Sequence, residues 1–322
     1  MDEMTLRDIL KWNYGVESPS LEFLREGGTL TYIVNSKNKY LLKVVGSAFS
    51  GTARQSVSIM RYLEGKGFPV PKTILTKSGE SFFETEVDGE KKLIVLMEFI
   101  DGDEPELEKY ASEVGELVGR FHQLMEKYPE ETVPEGKEFF IGRYLEFLRK
   151  KNYPRIAEYE KLGERLWDKI KDFPQGNCHG DLHRGNLLQN SDGQIYLVDF
   201  DTVCRSPFMF DVMVMCDMTD YFNLKEEDVV LTKEVYRKFL SGYSEYHALS
   251  REEIILLSPK EYYYRPIYCL FWEIFIDLAV VAHTAIFKKC CATSCNLITF
   301  STILTQMFTI PVEVIIPGNI RL

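Results

Sequence analysis

Nowhere in these 322 residues does a G-x-x-x-x-G-K-[ST] string occur, which excludes a Walker-type phosphate loop. Positive charge is also in short supply. Lys and Arg number 38 against 49 Asp and Glu, a net charge of -11, and no basic block forms the footprint of a nucleic-acid partner. No nucleic acid is expected to bind. Such an acidic balance reads either as favouring a cationic substrate through its summed field or, more often for moderate acidity, as plain solubility. The seven cysteines are too few for a disulfide scaffold in a chain this long, and Cys178 and Cys204 read as buried thiols. Cys290, Cys291 and Cys295 cluster, but no second Cys or His pair at zinc-ligand spacing accompanies them. The start, Met1-Asp2-Glu3-Met4-Thr5-Leu6-Arg7-Asp8, lacks the basic head and apolar core of a secretory signal, so a cytoplasmic location is expected. Residues 267–287 are long and apolar enough to suggest a membrane span. However, Glu273, Asp277 and His283 within them argue for an amphipathic buried helix, and no membrane association is expected.

What is present is ample apolar material, 45% of the chain, over a length that suggests about two lobes. The first hundred residues read as short strands around one helix. Residues 30–35 and 40–45 are β-rich runs separated by Ser36-Lys37-Asn38-Lys39, a hairpin pattern. In the second run Leu41, Lys43 and Val45 share one face while Leu42 and Val44 share the other, so the pattern leaves open which face is buried. Residues 52–64 have helical spacing at Val57, Met60 and Leu63 and end at Gly65-Lys66-Gly67. Residues 81–85 and 92–99 form a further strand pair across Asp88-Gly89. From Glu106 the pattern turns helical, with Tyr110, Val114, Leu117, Val118, Phe121, Leu124 and Met125 at a 3.6-residue period; His122 on this helix reads as a packing or hydrogen-bonded residue. Residues 139–148 and 156–170 continue as helices.

The densest chemistry lies in Cys178-His179-Gly180-Asp181-Leu182-His183-Arg184-Gly185-Asn186-Leu187-Leu188 and in Tyr196-Leu197-Val198-Asp199-Phe200-Asp201. Phosphoryl transfer from a nucleotide needs a group that orients the attacking hydroxyl and oxygen ligands that hold the metal ions neutralising the phosphate chain. Asp181 and Asn186 stand five residues apart, the spacing of base and metal ligand in a kinase catalytic loop. The turn Asn190-Ser191-Asp192-Gly193 leads into a short β-branched and aromatic run with Asp199 at its far end, where a second metal carboxylate is due. Asp201, two residues on, would share a face with Asp199 on an extended strand; it reads either as a helper of the metal or as a turn acid.

On these residues the chain resembles the aminoglycoside phosphotransferase and choline kinase-like family, whose signature is a His-Gly-Asp-x-x-x-x-Asn loop followed by an Asp-bearing strand. The resemblance covers roughly residues 15 to 289. It implies an α+β, two-lobed protein-kinase-like fold with a small β-rich nucleotide-binding lobe (1–102) and a larger helical catalytic and acceptor-binding lobe (103–289). By resemblance, Asp181 is the catalytic base, Asn186 and Asp199 hold Mg2+, and Lys43 reaches the phosphates of ATP or GTP. Met97-Glu98-Phe99-Ile100-Asp101-Gly102 would be the hinge, with main-chain groups of Glu98 and Ile100 on the adenine edge. The backbone at Gly27 and Gly28 would either approach phosphates or form a plain tight turn. His179 is expected to hold the loop and Asp211 to brace it, with Ser206-Pro207 ahead of Asp211 reading as a helix start. The roles of His183 and Arg184 stay open.

Two departures stand out. The helix over 52–64 should carry a glutamate that pairs with Lys43, and Ser56 occupies its place, so Gln55 or a residue from elsewhere holds the lysine, or the pairing is dispensable, or activity is reduced. Residues 290–322 have no acid until Glu313 and no helical period, an atypical tail that reads as an added β-rich piece, a partner-binding piece, or the product of a frame change near Lys289. The expected reaction is transfer of a γ-phosphate to a hydroxyl of a small molecule. A nucleotide-binding regulator without turnover and a stress-response type Ser/Thr protein kinase are the alternatives. Within 233–289, Glu261-Tyr262-Tyr263-Tyr264-Arg265 and Trp272-Glu273-Ile274-Phe275-Ile276-Asp277 would either line an acceptor pocket or pack the core.

Overall fold

The computed structural model describes residues 2–26, 29–87, 89–218, 225–251 and 253. Gly27, Gly28, the aromatic segments beyond residue 260 and the tail 290–322 lie outside the described residues. The chain opens with α1 (Glu3–Ile9), capped by the Asp2 side chain on the Thr5 amide and prolonged by a wider turn over Leu10–Tyr14. Then come β1 (Ser20–Glu26), β2 (Thr29–Asn35), β3 (Lys39–Gly46), α2 (Ser50–Gly65), β4 (Phe83–Val87) and β5 (Glu90–Glu98). The five strands form one antiparallel sheet in the order β1-β2-β3-β5-β4.

Strand alternation buries this sheet on both faces. Leu42 and Val44 of β3 with Ile94 and Leu96 of β5 meet Leu6, Ile9, Leu10 and Tyr14, and the Tyr14 hydroxyl donates to the Ile94 carbonyl at 2.8 Å. On the other face Val45, Leu93, Val95 and Met97 meet Ala53, Val57 and Met60 of α2, and this cluster runs on without interruption into the helical lobe. Lys43 alternates onto that second face and is buried, at 8% exposure.

The second lobe begins after the short β6 (Gly102–Asp103) with α3 (Leu107–Met125), β7 (Val133–Pro134), α4 (Arg143–Lys150), α5 (Ile156–Ile170) and β8 (Gln175–Cys178). It continues through β9 (Leu187–Asn190), β10 (Ile195–Leu197), β11 (Cys204–Pro207), α6 (Met209–Cys216) and α7 (Glu226–Tyr243). Two three-stranded sheets, β10-β9-β6 and β7-β11-β8, carry the loops between them. The Leu197 amide donates to the Pro69 carbonyl at 3.0 Å, fastening β10 to the segment after α2. α3 and α7 pack closely because Gly119 has no Cβ to strike the Tyr243 backbone. Among the described residues no helix is long and apolar enough to cross a membrane.

Three local expectations change. The N-terminal lobe has two helices, since Leu6, Ile9, Leu10 and Tyr14 give α1 and its extension an apolar stripe that the sheet buries. Ser206 and Pro207 do not start a helix. Pairing with β8, in the register Ser206↔Gly176 and Pro207↔Gln175, draws them into β11, and α6 begins at Met209 without a side-chain cap. Asp199 and Asp201 do not share an extended strand, because β10 ends at Leu197 and residues 200–202 form a tight helical turn.

Candidate active site

Asp199 stands at the end of β10 with φ 65° and ψ 66°, a left-handed conformation that costs an L-residue roughly 1–2 kcal/mol and is tolerated best by Asp and Asn among side-chain-bearing residues. This kink turns the chain into the 200–202 turn, whose Phe200 is buried against Phe121 and His179. Both acids that flank Phe200 then reach Lys43. Its Nζ lies 3.0 Å from Asp199 Oδ1 and 2.8 Å from Asp201 Oδ2. The other Asp199 oxygen accepts from Arg25 Nη2 at 2.9 Å.

These contacts set the charges. Burial alone would raise the Asp199 carboxyl, but Lys43 and Arg25 outweigh it and hold the group well below the usual carboxylate range. Burial would likewise lower the Lys43 ammonium, but Asp201 first and Asp199 second push it above its ordinary value. Lysine and carboxylate are therefore both charged at any pH near neutrality.

The loop before β9 is held by its own backbone and by Asp211. The Asn186 side-chain amide donates to the Asp181 carbonyl at 2.7 Å, the Asn186 amide donates to the His183 carbonyl, and the Asn186 carbonyl accepts from the Val198 amide at 3.0 Å. Asn186 is thus fixed to the residue before Asp199, with its side-chain N–H spent on the loop. Its Oδ1 and the ionised Asp199 carboxylate are hard oxygen donors, the type that suits Mg2+. Gly180, with φ +81°, passes so close to the Thr202 carbonyl that a Cβ would collide with it. Asp211, fully buried on α6, accepts from the His179 amide at 2.6 Å and the Gly180 amide at 3.0 Å. His179 Nε2 donates to the Val198 carbonyl at 3.0 Å, which ties the loop to the residue between β10 and Asp199.

Asp211 does not stand alone. Its Oδ2 also accepts from His122 Nε2 at 3.1 Å, His122 Nδ1 meets the Tyr243 hydroxyl at 2.8 Å, that hydroxyl meets His247 Nδ1 at 2.9 Å, and His247 Nε2 lies 3.3 Å from Glu126. Cys178 joins His122 and Asp211 as a third ligand-type atom within 4.8 Å, yet it is no metal centre: the carboxylate and imidazole already have their partners, and burial pushes the Cys178 thiol well up. Cys178, Cys204 and Cys216 are buried and free.

The structure gathers Lys43 and Asp199 directly, and Asp181 and Asn186 directly, and links the two pairs through Val198. Glu98 ends β5, and its amide is committed to the Lys72 carbonyl at 2.8 Å, which leaves Ile100 just beyond the strand end. His183 Nδ1 accepts from the Gly185 amide and its Nε2 lies 3.6 Å from Asp181 Oδ2, so the ring stands beside the acid. Arg184 is exposed and paired with Glu104 at 3.0 Å. Gln55 donates to the Glu131 carbonyl and is not the partner of Lys43. Sequence reasoning passed over Arg25; its place two residues before Gly27-Gly28 was the available signal.

Comparison with known proteins gives the family and the fold. Residues 20–249 match the profile of the phosphotransferase enzyme family. A homoserine kinase of Methylobacillus flagellatus is 24% identical over 242 residues, 72% of each chain. Among solved structures, an amicoumacin kinase in complex with AMP-PNP, Ca2+ and Ami superposes with a TM-score of 0.71 at 18% identity, covering 95% of this chain and 92% of the other. A microcompartment-associated aminopropanol kinase gives 0.65 at 14% identity, with 88% and 97% covered. The fold is the two-lobed protein-kinase-like one, and the chain belongs to the phosphotransferase enzyme family.

Proposed function

We propose that this protein transfers the γ-phosphate of ATP, or of GTP, to the hydroxyl of a small amine-bearing molecule. Residues 1–102 act as the nucleotide lobe and 103–289 as the catalytic and acceptor lobe. The single observation that carries the reading is the convergence of Lys43, Asp199 and the Asp181–Asn186 loop on one junction, with Lys43 and Asp199 held fully charged by their neighbours. Two of the named relatives are kinases of hydroxyl-bearing amines, the zwitterionic amino acid homoserine and the cationic aminopropanol, and a net charge of -11 suits the second. Homoserine and aminopropanol are the first acceptors to try.

In this reading Asp181 accepts a hydrogen bond from the acceptor hydroxyl, aligns it for in-line attack and takes its proton late in the reaction. Lys43 binds the phosphate oxygens. Asn186 Oδ1 and Asp199 would hold Mg2+, which supplies charge neutralisation along the phosphate chain. The main-chain groups of Glu98 and Ile100 would face the adenine edge, and those of Gly27 and Gly28 the phosphates. Positioning and fixed charge supply the acceleration, with no covalent intermediate. Lys43 has acid partners despite Ser56, so the missing helix glutamate lends no weight to a regulator without turnover.

The test is Mg2+-dependent ATP and GTP consumption against a panel of amino alcohols, sugars and aminoglycosides, beside Asp181→Ala. Acceptor-stimulated turnover should fall by roughly 10²–10⁴-fold in the variant while nucleotide binding persists. Turnover equal to wild type would sink the assignment of Asp181.

A further inference from the structure

A strand lysine that grips phosphates needs an acid to hold it. In protein kinases that acid is a glutamate on the helix after the lysine strand, and movements of the helix make or break the pair. Here the helix is α2, and Ser56, at the glutamate's place, is a buried residue too short to reach Lys43 as a carboxylate would. The neighbouring Gln55 is turned to the Glu131 carbonyl. The small residues Ala53 and Ser56 let α2 lie directly against the 200–202 turn, and that turn carries Asp201 to within 2.8 Å of Lys43 Nζ. Asp201 is the closer of the lysine's two acids and, among the described residues, pairs with Lys43 alone, whereas Asp199 shares itself between Lys43 and Arg25.

Resting on the proposed kinase reading of this site, we propose that Asp201 is the positioning residue of Lys43, taking over from a turn the task that a helix acid performs elsewhere. The placement of Lys43 against both acids follows from Phe200, whose buried ring between them anchors the turn. One consequence is mechanical. Both acids of the lysine sit two residues apart on a single turn that His179 also holds, through Thr202 Oγ1 donating to its carbonyl at 3.1 Å. The lysine's position is therefore set by the same segment that carries the metal carboxylate, and displacement of α2 would not by itself release it.

The test is Asp201→Asn, a change of charge on a side chain about one-third exposed, with Asp201→Glu as the conservative variant. The readout does not depend on turnover: the affinity for AMP-PNP measured with and without Mg2+. Loss of the acid should weaken AMP-PNP binding by roughly 10–100-fold, the range seen when a partner orienting a functional group is removed. The binding loss should vanish in a Lys43→Met background, and Asp201→Glu should restore part of it.

Unchanged AMP-PNP affinity in Asp201→Asn would overturn the proposal. So would a binding loss that persists in Lys43→Met, or one confined to the Mg2+ arm, which would make Asp201 a metal ligand instead. A protein that binds AMP-PNP and shows the Lys43-dependent loss but phosphorylates no acceptor would overturn the kinase reading and leave this inference standing.

Discussion

Two acids organise this site, Asp199 half-buried and Asp211 fully buried, and they are held in opposite ways. Asp199 sits where the lobes meet, its two oxygens each facing a cationic side chain, Lys43 and Arg25, on a backbone in the left-handed region. Asp211 sits behind the loop, fully excluded from solvent, its oxygens taken by two backbone amides and the His122 ring. The first arrangement keeps a carboxylate charged and exchangeable: cations that come by side chain can yield to a metal ion or a phosphate. The second spends its charge on fixed N–H donors that have nowhere else to go. Asp199 is thus built for chemistry at some expense in backbone energy, and Asp211 for rigidity.

Exchanging each acid for its amide should separate the two. Asp199→Asn keeps the shape and removes the charge that holds Lys43 and Arg25 and that, in the proposed reading, would hold Mg2+. Turnover should drop on the order of 10³-fold, about 4 kcal/mol, and Mg2+-dependent nucleotide binding should weaken, while the urea midpoint moves little. Wild-type activity in this variant would remove Asp199 from the metal site. Asp211→Asn should do the reverse. An amide offers one acceptor where three N–H groups converge, so at least one of the His179, Gly180 and His122 donors would face another donor in a dry site. A loss of roughly 3 kcal/mol of unfolding free energy is expected, measured by urea titration, with activity following from the loosened loop. An Asp211→Asn protein as stable as wild type would break the contrast.

How much of this could be read from the chain depends on how local the cause is. The Asp181-Asn186-Asp199 spacing is local, and it led to the loop and the strand end; Lys43 came from the resemblance, since the β3 alternation left its burial open. What alternation cannot say is which side of a sheet faces the second lobe; only the continuous packing of Val45, Val95 and Met97 into α2 and beyond decides that Lys43 is buried. Ser206 was misread because its capping chemistry was overruled by pairing with β8, a partner 30 residues away in sequence. Asp201 lay within a visible motif, but its partnership with Lys43 depends on the left-handed turn at Asp199, which no periodicity reports. α1 was legible in the spacing of Leu6, Ile9, Leu10 and Tyr14 behind Asp2, and was passed over because the segment was read only for targeting signals.

The smallest expected effect tests how far the rigid arrangement extends. From Asp211 the hydrogen bonds run through His122 and Tyr243 to His247 and end at Glu126 on the surface. Burial keeps the Tyr243 hydroxyl protonated, so it can serve both imidazoles. Burial first, and repulsion from His122 second, lower the His247 imidazole below its ordinary value, with Glu126 pulling the other way. A histidine that resists protonation in the folded state but accepts a proton freely when unfolded makes the unfolded chain bind more protons as pH falls. Its contribution is therefore complete above about pH 6.5 and declines as pH drops through that value toward the lowered folded one. Carboxylates such as Asp199, held low in the folded state, lose their contribution only below about pH 4, outside this window. His247→Gln should accordingly flatten the stability profile between pH 7 and about pH 5.5 while leaving the catalytic residues untouched. Parallel urea midpoints for the two proteins across that range would show that the chain of contacts ends, in energetic terms, before it reaches the surface.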